Sequence, residues 1–398
     1  MTTRIAIIGG LGHVGLPLSC VLADCGYHVA AIDRDLAKIE MVRAGKLPFI
    51  EYGAQEVLDR VMGNALVADD SSAMVAECET VIVTVGTPLD EHLNPRLEPV
   101  INCISELLPY LRDGQHIMLR STVFPGTTRR VDAFLRGAGK NIDLSFCPER
   151  IVQGHAIKEL RELPAIVSGC TPEAVTRAKE IFQRLSGSDL YAASIEVTPE
   201  EAELAKLYLN SWRYIQFAAA NQFYAIADKL GADYEAIRKA MTWRYPRGES
   251  LPGPGFAAGP CLVKDTMQLA AAAPDGFQMG VAARQANEGM PALIVAKLKR
   301  EMGSLSGKTV GILGMAFKGG IDDTRDSLSF KLKKLLEFQG ATVLCSDEYA
   351  ANDAWVTKEV AVGGDAVVVA IGHPQYTGLV VPERTRVVDL WNVVRRAA

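Results

Sequence analysis

The chain has 398 residues, 48% hydrophobic and 22% charged, with 42 basic against 47 acidic side chains and a net charge of −5. That length predicts two or three domains, and the composition supplies a sizeable core and excludes a disordered or fibrous chain. There is no basic arm or acidic tail, which argues against a nucleic-acid or membrane-surface partner.

The opening MTTRIAIIGG runs straight into an apolar strand, so no secretory leader is expected. No apolar run approaches the ~18–20 residues of a membrane span. Eight cysteines are scattered from Cys20 to Cys345 without a CxxC pair, which predicts reduced thiols in a cytoplasm, not disulfides or a metal site. Most of them should be small core residues.

In chain order, RIAII at 4–8 reads as a strand ended by glycines, 14–24 as an amphipathic helix, and HVAAI, followed by Asp33, as a second strand. This is the opening of a parallel α/β sheet. Strand-like runs recur at 80–85, 116–119 and 142–146, so a doubly wound domain extends to about residue 195. Between Glu200 and Leu230 there is neither Gly nor Pro. Thr198 fits an N-cap, Pro199 the first helical position, Glu201 the third, and Gly231 the stop. The predicted helix of about 31 residues is roughly 46 Å long, suited to a spacer that also supplies a dimer face. Beyond Lys308 the sheet signature returns in TVGILGMAF, ATVLCSD, DAVVVAI and RVVDL, with a helix at 329–338. The expected fold class is α/β: two Rossmann-like doubly wound domains joined by a long central helix, divided at 1–197, 198–303 and 304–398.

Gly10-Leu11-Gly12-His13-Val14-Gly15 fits GxGxxG. The glycines permit a tight turn, close approach of phosphates to the backbone, and close helix–strand packing, with the helix N-terminus facing the pyrophosphate. Asp33 lies 18 residues after Gly15, at the end of the next strand. An acid there accepts from ribose hydroxyls and repels a 2′-phosphate, so the predicted cofactor is NAD and not NADP. The alternative is a structural glycine turn beside a surface acid.

Three separated segments carry chemical residues. Cys261 ends a Gly/Pro loop and is followed by Lys264, Asp265 and a helix start. A helix N-terminus and nearby cations favour a thiolate, although a lone cysteine is more often inert. Lys206 and Asn210 are four apart and share one helix face; they suit an alkoxide or carbonyl, or a solvated surface. Glu149, in Cys147-Pro148-Glu149-Arg150, stands at the C-terminal end of a predicted strand, where open α/β sheets place ligands. It either orders a water or pairs with Arg150.

With these blocks in order, the chain resembles the UDP-glucose/GDP-mannose dehydrogenase family over nearly its whole length. The carriers are LGHVGLP at 11–17, VGTP at 85–88, STVFPGTT at 121–128, PERI at 148–151, AELAKLYLN at 202–210, the loop ending at Cys261, KD at 264–265, and AFKGGIDDTRDS at 316–327. The resemblance implies a nucleotide-sugar 6-dehydrogenase that oxidises a CH2OH twice, to the carboxylate, through a thioester. It makes Cys261 the nucleophile, with Lys206, Asn210 and Asp265 stabilising oxyanions and positioning water, and Thr122 and Glu149 assisting proton transfer and hydrolysis. NAD contacts would come from the glycine turn, Asp33, Lys38, Val85, Gly86, Thr87, Pro88, Ser121, Thr122, Lys264 and Arg325. The nucleotide-sugar would meet Glu149, Arg150, Ile151, Val152, Lys206, Asn210, Gly255, Phe256 and Lys318, and Arg247 across a homodimer interface.

Departures bear on the substrate. The loop reads Ala257-Ala258-Gly259-Pro260-Cys261 where the family has Gly-Gly-x-Cys, and Gln153 stands where glucose-type members carry a second glutamate. PERI with Gly154 leans towards UDP-N-acetylhexosamines such as UDP-ManNAc or UDP-GlcNAc, Lys264 towards UDP-glucose, and TDP-glucose is an alternative. Other classes with similar layouts are a two-electron β-hydroxyacid dehydrogenase, which needs neither Cys261 nor a second α/β domain, and a non-catalytic nucleotide-sugar or NAD sensor.

Overall fold

A computed structural model describes residues 3–96, 98–186, 194–273 and 275–396. It divides into two compact units, Met1–Tyr208 and Leu209–Ala398.

In the first unit eight strands form one sheet: β1 (Arg4–Ile8), β2 (His28–Ile32), β3 (Leu66–Asp69), β4 (Thr80–Val83), β5 (His116–Leu119), β6 (Asp143–Phe146), β7 (Ile166–Gly169) and β8 (Ile195–Glu196). Their order is β3-β2-β1-β4-β5-β6-β7-β8. The first six follow the dinucleotide-fold order, and β7 joins β6 antiparallel. The helices are α1 (Gly15–Asp24), α2 (Leu36–Arg43), α3 (Ala54–Val61), α4 (Glu98–Leu107), α5 (Thr127–Gly137), α6 (Ala156–Glu162) and α7 (Pro172–Ser186). One face of the sheet buries its apolar residues under α1, α3, α6 and α7, the other under α4 and α5.

The expectation of an amphipathic α1 is corrected. Every residue from Gly15 to Ala23 is buried, because α1 packs against α3 and α6 as well as against the sheet. A helix enclosed on all sides carries no polar stripe.

The long helix α8 runs from Pro199 to Lys229, 31 residues. Its start is a reciprocal capping box: the Thr198 N–H donates to Glu201 at 2.8 Å and the Glu201 N–H to Thr198 Oγ1 at 3.4 Å. In the first unit, buried Glu203 accepts from the Gly126 and Thr128 N–H groups at 2.6 and 2.7 Å, satisfying the start of α5.

The second unit continues with α9 (Tyr234–Thr242), α10 (Leu262–Ala272) and α11 (Gln278–Met302), then β9 (Thr309–Leu313), α12 (Leu328–Phe338), β10 (Thr342–Ser346), α13 (Lys358–Ala361), β11 (Ala366–Val369), β12 (Val380–Val381), β13 (Arg386–Asp389) and β14 (Arg395–Arg396). Four of these strands form a parallel sheet in the order β10-β9-β11-β13, and β12 pairs with β14. Its main core joins the sheet to α11 and α12. Among the described residues, no helix is long and apolar enough to cross a membrane.

Candidate active site

The glycine turn between β1 and α1 distributes its duties by position. Gly9, just outside the expected motif, carries the left-handed φ of +76° that turns the chain. A Cβ on Gly10 would lie 2.7 Å from the Ala31 backbone, and one on Gly15 only 2.1 Å from the Gly9 carbonyl. Those two glycines let strand, turn and helix close on one another. Gly12 differs: a Cβ there meets only the Gly9 carbonyl, at 3.4 Å. Among the described residues no side chain caps the start of α1 at Val14. The turn therefore offers an open backbone at Gly12 and a helix start without a side-chain cap, which fits a pyrophosphate.

Asp33 follows β2 and accepts from the Leu11 N–H at 3.0 Å and from the Asp35 N–H at 3.2 Å. Asp35 caps α2 through the Lys38 N–H at 3.2 Å and pairs with the Lys38 ammonium at 3.3 Å. The next two strand ends are tied together: Ser121 Oγ donates to the Val85 carbonyl at 2.7 Å, and Thr87 Oγ1 to the Thr122 carbonyl at 2.5 Å. The expected cofactor residues Val85, Gly86, Thr87, Pro88, Ser121 and Thr122 thus line the C-terminal ends of β4 and β5, the crevice where such sheets bind dinucleotides.

Glu149 is buried, and its partner is Arg120, not Arg150. The Arg120 guanidinium pairs with Oε2, while Oε1 accepts from the Arg150 and Ile151 N–H groups at 2.7 and 3.0 Å. Arg150 instead reaches the Pro164 carbonyl. Arg120 lies over the Phe182 ring, 5.1 Å from its centroid, and burial lowers its pKa to about 10. Sequence reading missed this arginine; its one local signal is its place immediately before Ser121. The Val152 N–H donates to Glu159 at 2.6 Å. Gln153 meets His13 Nδ1 at 2.9 Å, so the residue replacing a glutamate touches the dinucleotide turn itself.

In the second unit, Cys261 is the N-cap residue of α10 and is exposed. One turn into the helix, buried Asp265 accepts from Asn210 Nδ2 at 2.5 Å and pairs with the Lys264 ammonium at 2.6 Å. Lys206 stands one turn before Asn210 on α8 but falls in the first unit. The loop ahead of Cys261 is pinned by an unexpected residue. Buried Asn221 of α8 accepts from the Gly255 N–H at 2.9 Å and donates to its carbonyl at 3.0 Å, and it also bonds Asn287 at 2.9 Å. The Phe256 ring belongs to the core of this unit. Gly259, at φ +95°, abuts the Phe317 ring, and its N–H reaches the Asp326 carbonyl at 3.4 Å. Cys261 therefore sits beside the 314–327 loop, which carries Lys318 and Arg325. Arg325 is fixed by Asp323 at 2.6 Å. Arg247 is exposed and rests on the Tyr245 ring, 4.6 Å from its centroid.

The other cysteines contrast with Cys261. Burial pushes Cys20 and Cys103 up to about 12, and Cys78, Cys147 and Cys170 up to about 11. Among the described residues, no group of His, Cys, Asp and Glu has the arrangement of a metal site.

Known proteins match the chain along its length. Residues 3–186 match the NAD binding domain of the UDP-glucose/GDP-mannose dehydrogenase family, 200–288 its central domain, and 311–396 its UDP binding domain. The UDP-N-acetyl-D-mannosamine dehydrogenase of Methanococcus aeolicus is 30% identical over 94% of this chain and 85% of that protein. The NDP-N-acetyl-D-galactosaminuronic acid dehydrogenase of Ralstonia nicotianae is 27% identical over 99% of this chain and 98% of that protein. The structure of a UDP-glucose dehydrogenase from Pyrobaculum islandicum superposes with a TM-score of 0.90 at 25% identity, covering 100% of this chain and 98% of that one. With three domains matched in order and an NAD turn at its N-terminus, the chain belongs to the UDP-glucose/GDP-mannose dehydrogenase family and is an NAD-dependent nucleotide-sugar dehydrogenase.

Proposed function

We propose that this enzyme oxidises the C6 hydroxymethyl of a UDP-sugar to a carboxylate in two steps, through a thioester on Cys261. The observation that carries the reading is the exposed Cys261 at the head of α10, with Lys264 and Asp265 in the next helical turn and the Asn210 amide of α8 bonded to Asp265. Bound NAD supplies the two-electron acceptor for each oxidation. The protein's part is covalent. The Cys261 sulfur adds to the aldehyde carbon, giving a thiohemiacetal, and retains the carbon as a thioester after the second oxidation. Water then cleaves the C–S bond, releasing the carboxylate and restoring the thiol. Tethering keeps the aldehyde from escaping and splits one difficult oxidation into easier stages.

Donors aimed at the developing alkoxide contribute on the order of 3 kcal/mol each, a role we assign to Lys206 and Asn210. Asp265 holds the Asn210 amide in place. Thr122 assists proton transfer. Glu149, clamped by Arg120 and two N–H groups, is suited to holding a hydrolytic water at a fixed position. Arg325 and Lys264 serve NAD, and Lys318 the nucleotide. The division 1–197, 198–303 and 304–398 then assigns one part each to cofactor, nucleophile and nucleotide.

The favoured sugar is an N-acetylhexosamine, because PERI with Gly154 resembles that type and the relative from M. aeolicus carries that name. UDP-glucose and TDP-glucose are the alternatives. The test is the ratio of NADH formed to sugar consumed across a panel of UDP- and TDP-sugars. Two NADH per sugar supports the thioester route, whereas one, with aldehyde accumulating, moves the protein to a two-electron class. No NADH with any sugar would leave a sensor.

A homodimer is part of the same reading. Tyr208, Trp212, Phe223 and Ile226 expose large apolar surface along α8, and Leu230, Met241 and Trp243 beyond it are exposed too. A second copy is the proposed cover, with Arg247 reaching its neighbour's substrate. Light scattering at micromolar concentration tests this; a fully active monomer removes both claims.

A further inference from the structure

Loop 314–327, between β9 and α12, carries Lys318, and two buried side chains from other parts of the second unit hold it. Asp347, after β10, accepts from the Met315 and Ala316 N–H groups at 2.6 and 2.9 Å, at the start of the loop. The same carboxylate accepts from the Tyr349 and Ala350 N–H groups, each at 2.9 Å. His373, after β11, is fully buried and takes the middle of the loop: the Gly320 N–H donates to its Nδ1 at 3.1 Å. Its Nε2 lies 3.0 Å from Asp347 Oδ2.

These contacts fix the state of the imidazole. A nitrogen that accepts an N–H carries no proton, so the ring proton is on Nε2 and points at Asp347. Against the upward push of burial, His373 and the backbone N–H groups hold the Asp347 carboxyl down to about 2, so it remains an acceptor. The ring packs beside Tyr349 and Tyr376, with centroids 5.0 and 5.4 Å away. The loop also lies tight on the chain next to His373: a Cβ on Gly319 would stand 2.7 Å from the Gly372 carbonyl, and Gly320 has a φ of +78°.

We propose that His373 is a positioning residue for nucleotide-sugar binding, holding the Lys318 loop in register through an acceptor nitrogen at Nδ1. The inference rests on the reading of Lys318 as a nucleotide contact. It does not act on the chemistry at Cys261, so its mark is on KM and not on kcat.

The two amide replacements separate the two ring nitrogens. His373→Asn places an oxygen near the Nδ1 position and keeps an acceptor for Gly320; His373→Gln places its polar end near Nε2 and keeps only the Asp347 side. Calorimetric titration of the full-length enzyme with UDP, and KM for the nucleotide-sugar, are the readouts. Loss of one buried hydrogen bond to the loop should weaken UDP binding by about tenfold in the Gln variant, with kcat and NAD affinity within about twofold of wild type. The Asn variant should stay within about threefold of wild type on every measure. Equal losses in both variants, or a fall in kcat with UDP affinity intact, overturn the proposal. If the Gln variant does not fold, a loss of UDP affinity in the Asn variant alone overturns it. Lys318→Ala is the control. If UDP affinity survives that change, the nucleotide site was misplaced and the inference falls with it. If Lys318→Ala weakens binding and His373→Gln does not, only the inference falls.

Discussion

The two α/β sheets begin with the same device and spend it differently. In each, the first strand ends in a glycine-bearing turn, and an aspartate after the neighbouring strand accepts an N–H from that turn: Leu11 to Asp33 in one, Met315 to Asp347 in the other. Asp33 engages two N–H groups and faces a turn that passes directly into α1. Asp347, its side chain buried, engages four N–H groups and a histidine, and faces a loop that runs from Gly314 to Ser327 before α12 begins. On the proposed reading, one acid keeps lone pairs for a ligand; the other gives them to the protein, and the loop it holds is left to meet the ligand. An acid after the second strand is thus no evidence of ribose binding until its remaining partners are known.

Replacing the proposed nucleophile is the largest test of this division. Cys261→Ser should lower net four-electron turnover by a factor on the order of 10³ or more, because a hydroxyl is a poorer nucleophile and a poorer leaving group than a thiolate. NAD affinity should be nearly unchanged, because the NAD binding domain lies at 3–186 and Cys261 is outside it, and titration with NAD+ checks it. A variant that still yields two NADH per sugar at the wild-type rate removes Cys261 from the mechanism. Next in size is Asp33→Ala, where loss of a charged acceptor should erode the preference for NAD+ over NADP+ by roughly ten- to a hundredfold in kcat/KM. Preserved selectivity would break the contrast between the two acids.

Asp347→Asn tests the other side of that contrast. The folded-state carboxyl is held at about 2, below its unfolded value, so its contribution is present above about pH 4 and is lost as pH falls through 2. The shift corresponds to stability on the order of 2 kcal/mol. The difference in unfolding free energy between wild type and variant should therefore narrow on acidification; a gap that is constant with pH contradicts a charged Asp347. The same substitution at Asp33 should cost less. The smallest effect is expected at Thr198→Ala, at the start of α8. Removing the capping hydroxyl costs about 1 kcal/mol in thermal unfolding, with kcat and both KM values unaffected.

Much of this was legible because it is local. The capping box of α8 lies within four residues, the glycine turn within seven, and Cys261 with its helix within five. Periodicity placed β5 and bounded α12 to within a residue. What could not be read is pairwise and distant. Arg120 meets Glu149 across 29 residues, Asn221 meets Gly255 across 34, and Gln153 meets His13 across 140. No spacing rule links such positions, since only the closed fold brings them together. The misjudged α1 has the same cause: the neighbours that enclose it come from α3 and α6, and nothing in its own ten residues shows them.

Burial of the remaining thiols has a practical consequence. At neutral pH, Cys20, Cys78, Cys103, Cys147 and Cys170 hold no more than on the order of one part in 10⁴ as thiolate. Burial also raises Cys25 and Cys345, and alkylating reagents react with the thiolate. The native protein should therefore take up one equivalent of iodoacetamide quickly, react slowly at half-buried Cys25 and Cys170, and expose the rest only on unfolding. That first equivalent falls on Cys261, so a fluorophore or affinity handle can be attached at the head of α10 without removing any other cysteine. Protection of the same thiol by a bound nucleotide-sugar then gives a direct count of occupied sites.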